Sequence, residues 1–144
     1  LREFDSSQKV IVLNTSARTA LEAASSLSCD VGAIVKSLLF KAENSYVLCL
    51  VAGDKKVSLN KIKKTLKIKD VSMASADEVK DITGYTIGGV SPVGHLKKID
   101  ILIDNSLERF TSLYAAAGHP NCIFKSNFLD LQKITNGTKK EITE

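Results

Sequence analysis

Apolar residues in this chain fall in short runs, and the spacing between them switches repeatedly between two and three-to-four residues. Lys9–Leu13 is β-branched and bounded by polar residues, which predicts a short strand. Thr15 or Ser16 then caps a predicted helix through Leu27, with Ala20, Leu21, Ala24 and Leu27 at helical spacing. Ile34–Ala42 and Tyr46–Ala52 are apolar runs joined by Glu43-Asn44-Ser45, the pattern of a hairpin. A helix is expected near Ser58–Leu66, then a strand at Val71–Met73. Ser75 or Asp77 starts a brief helix that Gly84 ends. Ile99–Asp104, Leu113–Ala117 and Asn121–Lys125 read as strands, with Leu107–Phe110 a helical turn between the first two. Asn127 caps a last helix, Phe128–Ile134, for which Gly137 is the expected stop. Strands dominate the middle of the chain, so the expected architecture is mixed α/β.

Between the third helix and the later strands lies Gly84-Tyr85-Thr86-Ile87-Gly88-Gly89-Val90-Ser91-Pro92-Val93-Gly94-His95. It holds four of the chain's 8 glycines and one of its 2 prolines. Glycine lets backbone approach a ligand without an intervening Cβ, and proline fixes φ and removes a donor. The segment reads either as a backbone surface that meets a ligand or as a glycine-rich hairpin or bulge with none.

At 144 residues the chain is the size of one domain, expected to span 1–137 with a polar tail at 138–144. Its 44% hydrophobic and 25% charged content is that of a folded globular protein. No apolar run approaches the roughly 20 residues that cross a bilayer. Three cysteines, Cys29, Cys49 and Cys122, form no CxxC pair, which fits a reducing cytoplasm. The net charge of +4 is modest, but Lys55, Lys56, Lys61, Lys63, Lys64, Lys67 and Lys69 crowd one region. That cluster reads as a phosphate-attracting surface, Lys61 and Lys64 foremost, or as the solvated face of a helix whose buried stripe is Val57, Leu59, Ile62 and Leu66.

On a strand, Lys36 shares a face with Ile34, Leu38 and Phe40. An ammonium on an apolar face must be paired, line a pocket or reach water. Lys36 is therefore a site candidate, the alternative being a gatekeeper on an edge strand. Asp104, ending Ile101-Leu102-Ile103, is the natural carboxylate partner for such a lysine, or else a cap for the turn that follows. His119, between Gly118 and Pro120, reads as a polar pocket group or as an exposed residue beside a turn. Two histidines without clustered cysteines or acids do not make a zinc site. No G-x-S-x-G elbow, P-loop or dinucleotide fingerprint occurs, because Gly94 arrives one residue late and Pro92 follows the serine.

Taken together, Ile34-Val35-Lys36-Ser37-Leu38-Leu39-Phe40, the Gly84–Gly94 segment and Ala115-Ala116-Ala117-Gly118-His119-Pro120-Asn121 resemble the YbaK-type family. That family comprises the editing domain of bacterial prolyl-tRNA synthetase and its free-standing relatives. The resemblance spans nearly the whole chain. It implies a mixed central sheet, barrel-like and flanked by helices, and hydrolysis of mischarged prolyl-tRNA without metal or nucleotide cofactor. Lys36 matches the family's strand lysine, Gly88-Gly89-Val90-Ser91-Pro92 its G-x-x-x-P loop, and Gly118 its later turn. The implied roles follow. Lys36, Gly88 and Gly89 are catalytic, and Ser91, Pro92, Asp104, Gly118 and His119 bind substrate. Loop backbone would hold the aminoacyl and ribose groups, and water or a ribose hydroxyl would attack the ester, so no protein nucleophile is needed.

The free-standing members resembling cysteinyl-tRNA(Pro) deacylases carry Ser-Gly-Gly where this chain has Ala116-Ala117-Gly118, and Ile123 stands where they have an aspartate. Alanine, cysteine, serine or another small residue is therefore open as the acyl group. With 144 residues and no anticodon reader, a monomer acting in trans on tRNA is expected, its grip weak or supplied by prolyl-tRNA synthetase. The other classes are a non-catalytic module binding tRNA or synthetase, and a small-molecule binding protein.

Overall fold

The buried hairpin forms as its apolar runs require. Strand β2 (Ile34–Ala42) pairs antiparallel with β3 (Ser45–Ala52), in register from Val35↔Ala52 to Ala42↔Ser45. Leu48, Leu50 and Ala52 of β3 belong to one core cluster and Val47, Cys49 and Val51 to another, on the opposite face. A strand covered on both faces carries an unbroken apolar run rather than an alternating one. The computed structural model describes residues 9–12, 20–86, 90–119 and 122–144, with side chains at 22–86, 90–117 and 123–144.

Around this hairpin the sheet is ordered β1-β7-β6-β2-β3-β5-β8, with β4 pairing β2. The remaining strands are β1 (Lys9–Val12), β4 (Val71–Met73), β5 (Asp100–Asp104), β6 (Leu113–His119), β7 (Cys122–Ser126) and β8 (Thr138–Lys140). The pairs β2–β6, β3–β5 and β5–β8 are parallel and the others antiparallel, so the sheet is mixed as expected. Helix α1 (Ala20–Leu27) packs Ala23 and Ala24 with Ile34 and Ile123. Helix α2 (Leu59–Leu66) inserts the fully buried Ile62 into the cluster of Phe40, Val47 and Val51. Helices α3 (Ala76–Thr83) and α4 (Phe128–Thr135) cover the other face through Val79, Ile82, Phe128 and Leu131.

The helix ends follow their capping chemistry. Ser58 Oγ accepts from Lys61 N, and Asn127 Oδ1 accepts from Asp130 N. Ser75 and Glu78 form a reciprocal capping box, and Gly84 closes α3 at φ 82°. At α4 the expected stop is displaced. Asn136 takes the left-handed position at φ 54°, and Gly137 is needed for space, since a Cβ there would lie 2.8 Å from Ile103 Cδ1. The expected start of α1 at Thr15 or Ser16 lies outside the described residues. β6 runs two residues further than expected, and β7 is shifted by one.

Residues 138–144 are not a polar tail. β8 adds a parallel strand beside β5, and Ile142 is completely buried. Ser58 N donates to Ile142 O, Glu144 N to Lys56 O, and Val57 bridges Thr143. One isoleucine among six polar residues gives no readable period, yet burying it is worth about 2–3 kcal/mol.

The same segment explains Asp104. This carboxylate is completely buried and does not pair with Lys36. Its Oδ1 accepts from Ile142 N at 2.8 Å, and its Oδ2 from Thr143 Oγ1 at 3.0 Å and Ser106 N at 3.1 Å. Ser106 Oγ also donates to Oδ2. Asp104 thus caps the 3-10 segment Asn105–Arg109 and anchors the C-terminal strand. Replacing Asp104 by Ala strands the buried Ile142 N–H, and the variant should lose about 3 kcal/mol of stability. Urea unfolding checks this, and an unchanged midpoint would show that the anchor is dispensable.

Candidate active site

β2 has β3 along the whole of one edge, but its other edge is divided between two strands. β6 pairs with Ile34 and Val35, and β4 with Phe40 to Ala42. Ala74 N extends the second contact to Leu39 O. Among the described residues, Lys36, Ser37 and Leu38 therefore have no strand neighbour on that edge. β6 also changes register against β7 between Ala116 and His119, just beyond its last pair with β2. A β-bulge bends a strand and re-aims its side chains. On this stretch the buried Ser37 Oγ has no hydrogen-bond partner among the described residues.

The three segments singled out in the sequence meet around one core cluster. Val35 and Leu39 of β2, Val90 of the glycine-rich segment and Ala115 of β6 all belong to it, with Ala117 packed against it. Alternation puts Lys36 on the opposite face of β2, half-buried, where its Nζ donates to Lys55 O at 2.8 Å. Burial lowers the Lys36 pKa, and the nearby Asp54 carboxylate opposes that shift. The turn Ala52–Lys55 that offers this carbonyl is closed by Lys55 N to Ala52 O, and tied to β2 by Gly53 N to Ile34 O. Its Asp54 accepts two bonds from Arg109, at 2.7 and 3.1 Å. That pairing holds the Asp54 carboxyl below its ordinary pKa.

The glycine-rich segment is pinned at its neck and along its exit. Leu96 N donates to Thr83 O and Lys97 N to Ile82 O, returning the chain to the end of α3. Val90, Ser91, Pro92 and Val93 are all buried. Ser91 Oγ accepts from Val93 N at 3.3 Å, so this hydroxyl serves the loop itself. His95 Nε2 donates to Ser91 O at 2.7 Å, and Tyr85 OH donates to Val93 O at 2.9 Å. The Tyr85 and His95 rings meet edge to face, their centroids 6.1 Å apart. Burial favours the neutral ring and lowers the His95 pKa, and the bond to Ser91 opposes that shift. Gly94 supplies the positive φ, 77°, that turns the chain at this point.

Other expected residues divide. Gly88 and Gly89 lie outside the described residues, and Gly118 and His119 are described only as backbone of β6. Pro92 lines a cleft of about 500 Å³ with Leu66, Ile99, Leu102, Lys97, Lys98 and Lys140. Lys61 is not a free cation on α2: its Nζ donates to Thr143 O at 2.7 Å and pairs with Glu141 at 3.3 Å. The C-terminal segment that the sequence hid is what engages it. Lys64 is exposed. Cys49 is buried and its thiol is pushed up to about 12, which leaves no thiolate for chemistry at neutral pH.

Sequence reasoning passed over Tyr85, His95, Asp54 and Arg109. Tyr85 and His95 flank the glycine run and carried a signal in that position. Asp54 and Arg109 are 55 residues apart, and nothing in the sequence pairs them.

Residues 14–134 match the model of the aminoacyl-tRNA editing domain. A proline–tRNA ligase of Caldicellulosiruptor bescii is 33% identical over 131 residues, which are 91% of this chain and 23% of the ligase. The chain therefore spans less than a quarter of that relative's length. Bacillus subtilis YwhH is 34% identical over 120 residues, 83% of this chain and 76% of that protein. A solved structure of a proposed trans-editing enzyme for prolyl-tRNA synthetase superposes with TM-score 0.90 at 35% identity, covering 95% of this chain and 87% of the other. Among the described residues no helix is long and apolar enough to cross a membrane. With its strand lysine, its loop and its β6 turn in the same order as in the resemblance, this chain belongs to the aminoacyl-tRNA editing domain family, the YbaK-type relatives of the prolyl-tRNA synthetase editing domain.

Proposed function

We propose that this protein hydrolyses mischarged aminoacyl-tRNA(Pro) in trans, releasing a small amino acid and free tRNA. The observation that carries the reading is a half-buried lysine at the unmatched edge of β2, in a chain that matches an editing domain over residues 14–134. Action in trans draws on the relatives of similar length, YwhH and the proposed trans-editing enzyme. A part in prolyl-tRNA quality control draws on that enzyme and on the ligase.

In this reading a water attacks the ester carbonyl, and the tetrahedral oxyanion collapses by expelling the terminal ribose hydroxyl. Lys36 supplies positive charge to the oxyanion or the adjoining phosphate. The backbone of Gly88 to Pro92 positions the acyl and ribose groups, and the buried Val90–Val93 exit holds that backbone still. Gly118 and His119 close the side formed by β6. Ser91 acts through the loop's shape, since its hydroxyl is engaged by Val93 N. Asp104 acts at a distance, through the segment it caps. Neither a protein nucleophile nor a metal has a role, so chelation by EDTA should leave the rate unchanged. Alanine, cysteine and serine are the acyl groups favoured, because sterics exclude larger ones readily. Lys64 offers a phosphate contact, and prolyl-tRNA synthetase is the partner expected to add affinity.

Lys36→Ala should lower kcat/KM by at least a hundredfold, about 2.7 kcal/mol of transition-state stabilisation, with the melting temperature little changed. Deacylation of a tRNA(Pro) panel charged with alanine, cysteine or serine checks this. Normal turnover would refute the assignment, and binding without turnover in the wild type would leave a non-catalytic module.

Gly88→Ala and Gly89→Ala should each lose at least tenfold, about 1.4 kcal/mol, with the smallest acyl group suffering least. Pro92→Ala should be milder. Normal kinetics in both glycine variants would reduce the loop to a turn.

Binding of tRNA should weaken as salt is raised, and Lys64→Glu should flatten the slope of log K against log[salt] by about one. Lys61→Glu should instead lower stability, because it breaks the tie to Thr143. Equal effects of both variants on binding alone would return Lys61 to the phosphate surface.

A further inference from the structure

Lys36 has a choice of acceptors that its surroundings resolve in an unusual way. Asp54 is close enough to act on it electrostatically, yet the Lys36 ammonium donates to the neutral Lys55 carbonyl. Both Asp54 oxygens are taken by Arg109, through Nη2 at 2.7 Å and Nη1 at 3.1 Å. Arg109 is itself aimed. Its Nε donates to Ser106 O at 2.7 Å, and its guanidinium lies 4.9 Å from the centre of the Phe110 ring. Gly32 fits tightly into the same corner, where a Cβ would come within 2.7 Å of Phe110 Cζ and 2.9 Å of Asp54 Oδ1. A two-pronged arginine–carboxylate pair fixes geometry as well as charge.

We propose that Arg109 is a positioning residue acting through Asp54: by fixing the carboxylate in a two-pronged pair and offsetting its charge, it keeps Lys36 out of an ion pair and leaves its amine on the Lys55 carbonyl, with two N–H donors for substrate. This rests on the deacylase reading of Lys36. Without Arg109, the Asp54 carboxylate is left with the amines of Lys55 and Lys36 as its nearby charges. An ammonium locked to Asp54 has less charge to offer a developing oxyanion. The charged groups on the described elements around Lys36 are Asp54 and Lys55 of the turn, Arg109 of the 3-10 segment, and the buried Asp104 behind Arg109. On β2 itself the next charge is the exposed Lys41.

The sign of each effect follows. Arg109→Gln unmasks the Asp54 charge, which favours the protonated amine, so the Lys36 titration moves up and kcat/KM falls about tenfold. Asp54→Asn removes the charge, so the titration moves down. In the Asp54→Asn background, Arg109→Gln should then change neither quantity further.

The experiment is a double-mutant cycle read two ways. The Lys36 side-chain ¹³Cε shift is followed against pH, assigned with Lys36→Arg, and kcat/KM is followed against pH on alanyl-tRNA(Pro). Melting curves confirm that each variant is folded, and Arg109→Lys, which keeps the charge but not the two-pronged bond, should rescue in part. Opposite shifts in the single variants, with no effect of Arg109→Gln once Asp54 is gone, support the proposal. An Arg109→Gln loss that persists in the Asp54→Asn background, or a Lys36 titration unmoved by either change, overturns it. If the titration moves as stated while the wild type hydrolyses no member of the tRNA panel, the pairing stands and the deacylase reading falls.

Discussion

Three consecutive residues of β2, Lys36 to Leu38, have a strand on one side only among the described residues, because β6 and β4 share the other edge without meeting. That division follows from topology. β6 arrives parallel and departs through a register shift, while β4 returns antiparallel from α2. Backbone groups on such an edge need acceptors and donors from elsewhere, and a charged side chain there needs its own partner. The glycine-rich segment enters the same core through Val90, and β6 through Ala115.

A line of contacts joins that edge to the far end of the chain. Ile142 and Thr143 hold Asp104, and Asp104 caps the 3-10 segment that ends in Arg109. Arg109 holds Asp54, and the next residue of that turn offers its carbonyl to Lys36. Each link is a hydrogen bond to or from a charged group, stronger than a neutral one and more demanding of geometry. The C-terminal segment is therefore part of what shapes the surroundings of Lys36.

The elements were legible where a periodic apolar pattern met a capping residue, as at Ser58, Ser75 and Asn127. The buried hairpin was legible because β-branched and leucine residues filled both of its faces. Lys36 stood out as one charge on an apolar face, and it remains the centre of the candidate site. What was not legible depended on long-range pairing. Of the two readings of Asp104, the cap of the following turn is formed at Ser106 N and the pairing with Lys36 is not, and what stayed hidden are its bonds to Ile142 and Thr143, 38 and 39 positions away. Lys61 looked free for the same reason: Thr143 and Glu141 are remote in sequence. β8 carries too few apolar residues to announce itself.

On the deacylase reading, substrate meets the unpaired edge of β2 between β4 and β6, beside Lys36 and the Val90–Pro92 exit of the loop. A direct measurement is the titration of a non-hydrolysable 3′-alanylamido-adenosine into ¹⁵N-labelled protein. Shift changes are expected to centre on Lys36, Ser37, Val90, Ser91 and Ala117, with Asp104 and Ile142 little affected. Changes confined to the cleft of Lys97, Lys98 and Lys140, with Lys36 and Ser37 unmoved, would contradict it.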